Sequence, residues 1–199
     1  MIRLQTPISE SDIRALKVGD EVLISGVVFT GRDAVHKYLH DGGQLPPGVS
    51  LRDGILYHCG PVVMKQSDGS WKATAAGPTT SIREEPYQAQ IIHDFGLRGV
   101  IGKGGMGERT TNAMAKHGTV YCAFTGGAAV LAAEAIKRVR GVEWLDLGMP
   151  EAMWILEVQS FGPLIVAIDT HGNNLLEAMA EKVEANREIV YRKFRLQTP

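Results

Sequence analysis

Apolar residues along this chain come in short runs bounded by glycine, proline and polar clusters, and the rhythm of those runs changes after residue 76. Up to that point the pattern is β-rich. VGDEVLISGVVFTG (18–31) reads as two short apolar runs broken at Gly26. RDAVHKYLHDG (32–42) then places Ala34, Val35, Tyr38 and Leu39 at helical spacing before an Asp-Gly stop. ILYHCGPVVMK (55–65) and SWKATAA (70–76) flank SDGS, which predicts a hairpin. Beyond it, PYQAQIIHDF (86–95) reads as a helix, LRGVIG (97–102) as a buried strand and 108–117 as a second helix. TVYCAF (119–124) is the next strand, and AAVLAAEAIKRV (128–139) the next helix. Strand, loop, helix, strand, loop, helix is the pattern of parallel α/β structure. Two more strands, MWILEV (153–158) and LIVAID (164–169), are joined by QSFGP, and a charged amphipathic helix over 174–192 closes the chain. The expectation is an α/β fold, one unit over residues 1–199, with N-terminal β-hairpins and a parallel β-α-β portion.

Composition narrows the function classes. At 199 residues the chain can bury a substantial core. With 44% hydrophobic and 22% charged residues and a formal net charge of -1, nothing points to a nucleic-acid surface or a polybasic membrane patch. No apolar run approaches a membrane span, and MIRLQTPISESD lacks the apolar centre of a signal peptide. The two cysteines, Cys59 and Cys122, are far apart and form no CxxC, so a disulfide framework is not expected and a cytoplasmic setting is. The 23 glycines cluster at 42–43, 102–107 and 126–127, between apolar segments, as tight loops do. RLQTP occurs at 3–7 and again at 195–199, without a physical reason visible in the sequence.

Three stretches carry candidate chemistry. In AAGPTTSIREE (75–85), Ser81 and Glu84 have capping-box spacing, whereas Pro86 suits a first helical position. A helix starting near Pro86 leaves Thr79 to Arg83 as a polar segment whose hydroxyls and guanidinium could converge on a carboxylate or phosphate. Capping and anion binding both remain open from spacing alone. GKGGMG (102–107) matches G-x-G-x-x-G through Gly102, Gly104 and Gly107, with Gly105 between them. The acidic residue a dinucleotide site needs is missing from the next strand, and Lys103 is misplaced for a phosphate-binding P-loop. What remains is a glycine-rich turn carrying Lys103, either an anion site or a tight turn with a solvated lysine. In TGRDAVH (30–36), Thr30 suits an N-cap and Asp33 the positive end of the helix dipole, but Arg32 there is electrostatically unhelpful. His58-Cys59, His93-Asp94 and Asp169-Thr170-His171 lack metal-ligand spacing, and no metal site is expected on this chain. Trp71, Trp144 and Trp154 read as core or interface.

Taken together, TGRD (30–33), HCGP (58–61), GPTTSIR (77–83), GKGGMG (102–107), LGMPEAMW (147–154) and FGPLIVAIDTHGNN (161–174) resemble the β-subunit of the iron–sulfur-dependent hydro-lyases, class I fumarate hydratase and L(+)-tartrate dehydratase. The resemblance runs in order over nearly the whole chain. It implies a swivelling β/β/α-type fold, a part that is the C-terminal domain of one-chain members, and here a separate small subunit. It also implies a [4Fe–4S] cluster with one open iron. Such a cluster needs three thiolates, and two distant cysteines cannot supply them. The cluster would therefore belong to an α-subunit partner, in an assembly expected to be α2β2. By the same resemblance, Arg32, Arg83 and Lys103 bind the carboxylates of a small dicarboxylate, and Thr79, directly after Gly-Pro, faces the C–H to be broken. The resemblance implies reversible hydration of fumarate to (S)-malate. The alternatives are tartrate dehydration and, from another class, a non-catalytic nucleotide- or anion-binding module built on GKGGMG.

Overall fold

Glu21–Thr30 and Met153–Ile168, 10 and 16 residues long, are the two longest strands, and each is shared between two sets of neighbours. The computed structural model describes residues 1–194, so the second RLQTP lies outside the described residues. In chain order the elements are β1 (Ile2–Gln5), α1 (Glu10–Arg14), β2 (Glu21–Thr30), α2 (Asp33–His40), β3 (Ile55–Tyr57), and the hairpin of β4 (Val62–Lys65) and β5 (Trp71–Ala75). A 3-10 turn (Ser81–Glu84) leads into α3 (Glu85–Phe95), β6 (Gly99–Gly102), α4 (Glu108–His117), β7 (Val120–Ala123) and α5 (Ala129–Ala135). β8 (Ile136–Glu143), a second 3-10 turn (Leu145–Leu147), β9 (Met153–Ile168) and α6 (Leu175–Phe194) complete the order.

The main sheet runs β1-β2-β3-β6-β7-β9-β8, and an additional β2–β9 pairing closes it into a barrel-like ring. β2, β3, β6 and β7 are parallel, whereas β9 runs antiparallel to both β7 and β2. α2, α3 and α4 fall between successive parallel strands, so the expected α/β architecture with a parallel β-α-β portion is present.

Period-two alternation explains how the ring fills. Ile55 and Tyr57 of β3, Ile101 of β6, Val120 and Cys122 of β7, and Trp154, Leu156 and Val158 of β9 point into one buried cluster. Their sequence neighbours Leu56, Val100, Tyr121 and Met153 point the other way, against Val35 and Leu39 of α2, Ile91 and Ile92 of α3 and Met114 of α4. Each such aliphatic side chain contributes roughly 1.5–3 kcal/mol on burial, which is why these strands read as nearly continuous apolar runs.

Three expected element boundaries need correction. Gly26 does not divide 18–31 into two runs; it is a bulge inside the single strand β2, at φ +102°. A Cβ there would lie 2.3 Å from Thr6 Oγ1, so glycine admits the end of β1. QSFGP is likewise a bend within β9, not a connection between two strands. The helix over 128–139 stops at Ala135, because Ile136, Val139 and Val142 pack on the core while β8 pairs with β9. Tertiary pairing there outweighs the helix propensity of the alanine run. The hairpin about SDGS and the helices at 86–95 and 108–117 form where the pattern places them.

Thr30 was expected to cap α2. It is instead fully buried in β2, where its hydroxyl accepts from Trp154 N (2.9 Å) and donates to Ala152 O (3.4 Å) across the ring closure. Thr30→Val should lower stability by about 1–3 kcal/mol, since it strands a buried amide, and Thr30→Ser should restore most of the loss. Denaturant midpoints of the three proteins check this; an unchanged midpoint for the valine variant would remove the hydroxyl from the closure.

Candidate active site

The carboxyl ends of β2, β3, β6 and β7 open on one rim, the position where open α/β sheets bind ligands. Arg32 follows β2 and Lys103 follows β6, while GPTTS (77–81) threads between the ends of β3 and β6. Thr79 N donates to His58 O (2.7 Å), Lys103 N to Thr79 O (3.2 Å) and Ser81 N to Lys103 O (2.9 Å). The segment is therefore an extra half-strand on the rim, with both backbone groups of Thr79 paired. Thr79 is half-buried and its neighbour Thr80 is exposed, as alternation along an extended segment requires.

Contacts join the four expected residues into one strip. Arg32 lies against Gly60, where a Cβ would come within 3.0 Å of its guanidinium, and Cys59 beside it bridges to Pro78, next to Thr79. The Lys103 side chain runs past Gly126 of the loop after β7. Arg83 leaves the 3-10 turn and forks onto both carboxylate oxygens of Asp33, beside Arg32.

The charges differ in how committed they are. Arg83 is paired with Asp33, whose carboxyl is pushed up by burial but held below its ordinary value by the Arg83 hydrogen bonds. Arg32 pairs with Glu151 at 3.2 Å, and its Nε is buried without a partner. Among the described residues the Lys103 ammonium makes no ion pair. It is the uncommitted cation of the rim.

Glu151, and the pairing of Asp33 with Arg83, were not visible in the sequence. Glu151 accepts from Ala34 N (3.0 Å), so a carboxylate from the loop before β9 caps α2 in place of Thr30 while holding Arg32. The capping box that the Ser81–Glu84 spacing left open does not form. Ser81 Oγ is instead 2.9 Å from both His58 Nδ1 and the Tyr121 hydroxyl, and Glu84 is buried with neither oxygen hydrogen-bonded.

The glycine loop has packing reasons for its composition. A Cβ on Gly102 would sit 1.8 Å from Ser81 Oγ, and one on Gly107 2.8 Å from Glu85 Oε1. Gly104 and Gly105 have φ of +85° and +152°. The N-terminus of α4 is already filled: the Glu85 carboxylate accepts from Gly107 N (2.7 Å), Thr110 N (3.2 Å) and Thr110 Oγ1 (2.7 Å). A nucleotide phosphate would have to displace it. Asn174, from DTHGNN, ties the loop down by donating to Met106 O (3.2 Å) and Thr111 Oγ1 (3.1 Å).

Cys59 and Cys122 are both buried in the ring, with thiols pushed up to about 12 by burial. Two inert thiols inside a hydrophobic cluster do not fit a [4Fe–4S] cluster, which needs accessible thiolates. Among the described residues no group of three or more His, Cys, Asp or Glu is placed to hold a metal ion. No described helix is long and apolar enough to cross a membrane.

The structure is thus an α/β ring with a polar, cationic rim at its carboxyl end. The Fumarase C-terminus family model matches residues 1–179, and the chain belongs to that family. It is 51% identical over 195 residues to the putative fumarate hydratase class I of Geobacillus stearothermophilus, covering 96% of this chain and 37% of that protein. It thus spans little more than a third of that relative's length. It is 41% identical over 184 residues to the L(+)-tartrate dehydratase subunit beta of Escherichia coli (strain K12), covering 92% and 90% of the two chains. Its identity to the putative L(+)-tartrate dehydratase subunit beta of Methanocaldococcus jannaschii is 42% over 181 residues, with 88% and 91% covered.

Burial pushes the Glu84 carboxyl from its ordinary 4.5 up to about 8, and the nearby Asp33 adds to the shift. Between those values the folded chain holds a proton that the unfolded chain has lost, so stability falls as pH rises from about 4.5 to about 8. Glu84→Gln should abolish that slope and gain on the wild type, by on the order of 3 kcal/mol at the upper end. Urea titrations at pH 5, 6.5 and 8 check this; parallel losses in both proteins would mean that Glu84 ionises freely.

Proposed function

We propose that this chain is the β-subunit of a two-subunit, iron–sulfur-dependent hydro-lyase that hydrates fumarate reversibly to (S)-malate. The observation that carries the reading is the rim itself: half-buried Thr79, backbone-bonded to Lys103 whose ammonium makes no ion pair, flanked by Arg32 and Arg83. Two carboxylates need two cationic contacts, and charge-assisted hydrogen bonds of this kind contribute roughly 1.5–3 kcal/mol each. Lys103 accepts one carboxylate directly. Arg83 and Arg32 reach the other by sharing their guanidinium donors with Asp33 and Glu151.

Dehydration of malate removes a carbon-bound proton, expels hydroxide from the neighbouring carbon and forms the double bond between them. In this reading Thr79 stands at the C–H. A threonine hydroxyl is a weak base and needs an activating group, which the partner subunit supplies. The [4Fe–4S] cluster, absent from this chain's chemistry, belongs to that partner, and the assembly works in the cytoplasm.

Tartrate dehydration is the second reading, supported by the 41% identity to a tartrate dehydratase subunit beta that this chain covers almost end to end. The same clamp fits either four-carbon diacid. Against a nucleotide-binding module stands the Glu85 carboxylate in the helix N-terminus a phosphate would use.

Purified alone, the chain should be colourless and inactive; reconstituted anaerobically with its α-subunit, it should turn over malate in preference to either tartrate enantiomer. Iron and sulfide bound stoichiometrically to the isolated chain would overturn the two-subunit reading, and a preference for L(+)-tartrate would select the second substrate. Within the complex, Thr79→Val should lower kcat by about 10²–10⁴-fold with little change in KM. Thr80→Val should cost about 1 kcal/mol of stability or less. Arg83→Met should mainly raise KM. A Thr79→Val enzyme with normal kcat would leave that hydroxyl a structural role.

A further inference from the structure

Directly beneath the rim lies a polar cluster that neither the apolar core nor the substrate strip accounts for. His36, His58, Ser81, Glu84, Gln88 and Tyr121 are all fully buried. The Gln88 side-chain amide stands 3.0 Å from His36 Nε2 and 2.8 Å from His58 Nε2, and the two rings meet edge to face at 4.9 Å. From the far side of each ring the network reaches the rim backbone. His36 Nδ1 lies 2.9 Å from Arg32 O, and the His58 carbonyl accepts the Thr79 amide. His58 Nδ1 lies 2.9 Å from Ser81 Oγ, and Ser81 N in turn donates to Lys103 O.

A proton count fixes which way the amide points. Arg32 O carries no hydrogen, so His36 Nδ1 must donate to it. A neutral His36 then has a bare Nε2, which needs a donor, and the Gln88 amide group is the partner it has. If the amide oxygen faced the rings, His36 would have to be a buried imidazolium and the Gln88 nitrogen would be left without any acceptor. If the nitrogen faces them, its two hydrogens serve both Nε2 atoms, no charge is buried, and the atom left without a partner is the amide oxygen, a smaller loss than an orphaned N–H. Burial, which holds both imidazoles below their ordinary pKa, favours the same uncharged arrangement.

We propose that Gln88 is a positioning residue for the substrate site: its amide nitrogen donates to His36 and His58, and through them sets the spacing between Arg32 and the Thr79–Lys103 backbone. The proposal rests on the reading of the rim as the substrate site. Gln88 touches no substrate; it acts through the two rings. Charged and titratable groups face His36 from every side: Arg32 and Asp33 at the start of its own helix, Glu84 and Arg83 from the 3-10 turn, Glu151 from the loop before β9, and His58 from the loop after β3. Glu84 Oε2, 3.6 Å from His36 Nδ1, is the nearest of the carboxylates.

The test uses two variants in the reconstituted complex and in the full chain labelled on its imidazole nitrogens. Gln88→Met removes both donors at similar volume, and Gln88→Glu replaces the two donors by an acceptor. In the wild type, nitrogen shifts should show His36 and His58 as neutral Nδ1–H tautomers from pH 6 to 9. In Gln88→Glu, His36 should become doubly protonated over that range, and the pH profile of kcat should acquire a limb the wild type lacks. Gln88→Met should lower kcat about 10–100-fold at full cluster content and move the Thr79 and Lys103 amide resonances. A doubly protonated His36 in the wild type, or Gln88→Met with kcat within twofold of wild type and unmoved Thr79 and Lys103 amides, would overturn the proposal. Should the methionine variant not fold, Gln88→Glu carries the test. Should the wild-type complex turn over no diacid, the functional reading fails while the tautomers and amide shifts still decide the role of Gln88.

Discussion

The pairing of β2 with β9 is the constraint on which the rest of this structure depends. Without it the sheet would be an open ribbon with Glu21–Thr30 inside and Met153–Ile168 near one edge; with it the strands close into a ring. Both strands must bend to make the closure, β2 at Gly26 and β9 across 159–163, and the register shifts at those points. Closure aims the carboxyl ends of four parallel strands at one rim. Every residue of the candidate site then hangs from a strand end or from a segment hydrogen-bonded to one.

That rim is built by opposing two demands. Under the proposed function the rim needs concentrated positive charge for a dianion, yet a free chain must keep those cations from repelling one another and from disordering the loops. Asp33 and Glu151 resolve the conflict by holding Arg83 and Arg32 in place, and Glu151 caps α2 at the same time. Beneath them the polar layer of His36, His58, Gln88 and Ser81 is neutral, which keeps the desolvation cost low while fixing the backbone above. Electrostatics are thus organised in depth, with the rim charges of Arg32 and Arg83 paired, Lys103 uncommitted, and uncharged dipoles below.

Much of the fold was legible in the sequence, because period-two and period-3.6 patterns are local. The helix from Glu108 to His117 and the SDGS hairpin are readable from their own local patterns. What was not legible was non-local. No local rule says that Ile136 to Val139 leave an alanine-rich helix to pair with β9, or that Gly26 bulges to admit Thr6. The same holds at the site. Arg32, Thr79, Arg83 and Lys103 stood out through motif resemblance, but their partners sit 50 residues from Arg83 and far along the chain from Arg32, in positions that look like ordinary surface acids. The capping box of Ser81 and Glu84 was a correct local pattern overruled by a buried histidine and a tyrosine from β7.

The central claim is that this rim is half of a site, completed by a second subunit closing over it. Amide hydrogen exchange of the chain, alone and with the proposed α-subunit, tests that claim most directly. The account predicts new protection concentrated at 30–34, 77–83, 102–106 and 125–127, the four segments that line the rim. Protection confined to the β4–β5 hairpin, β8 or α6, with the rim exchanging as it does in the free chain, would contradict it.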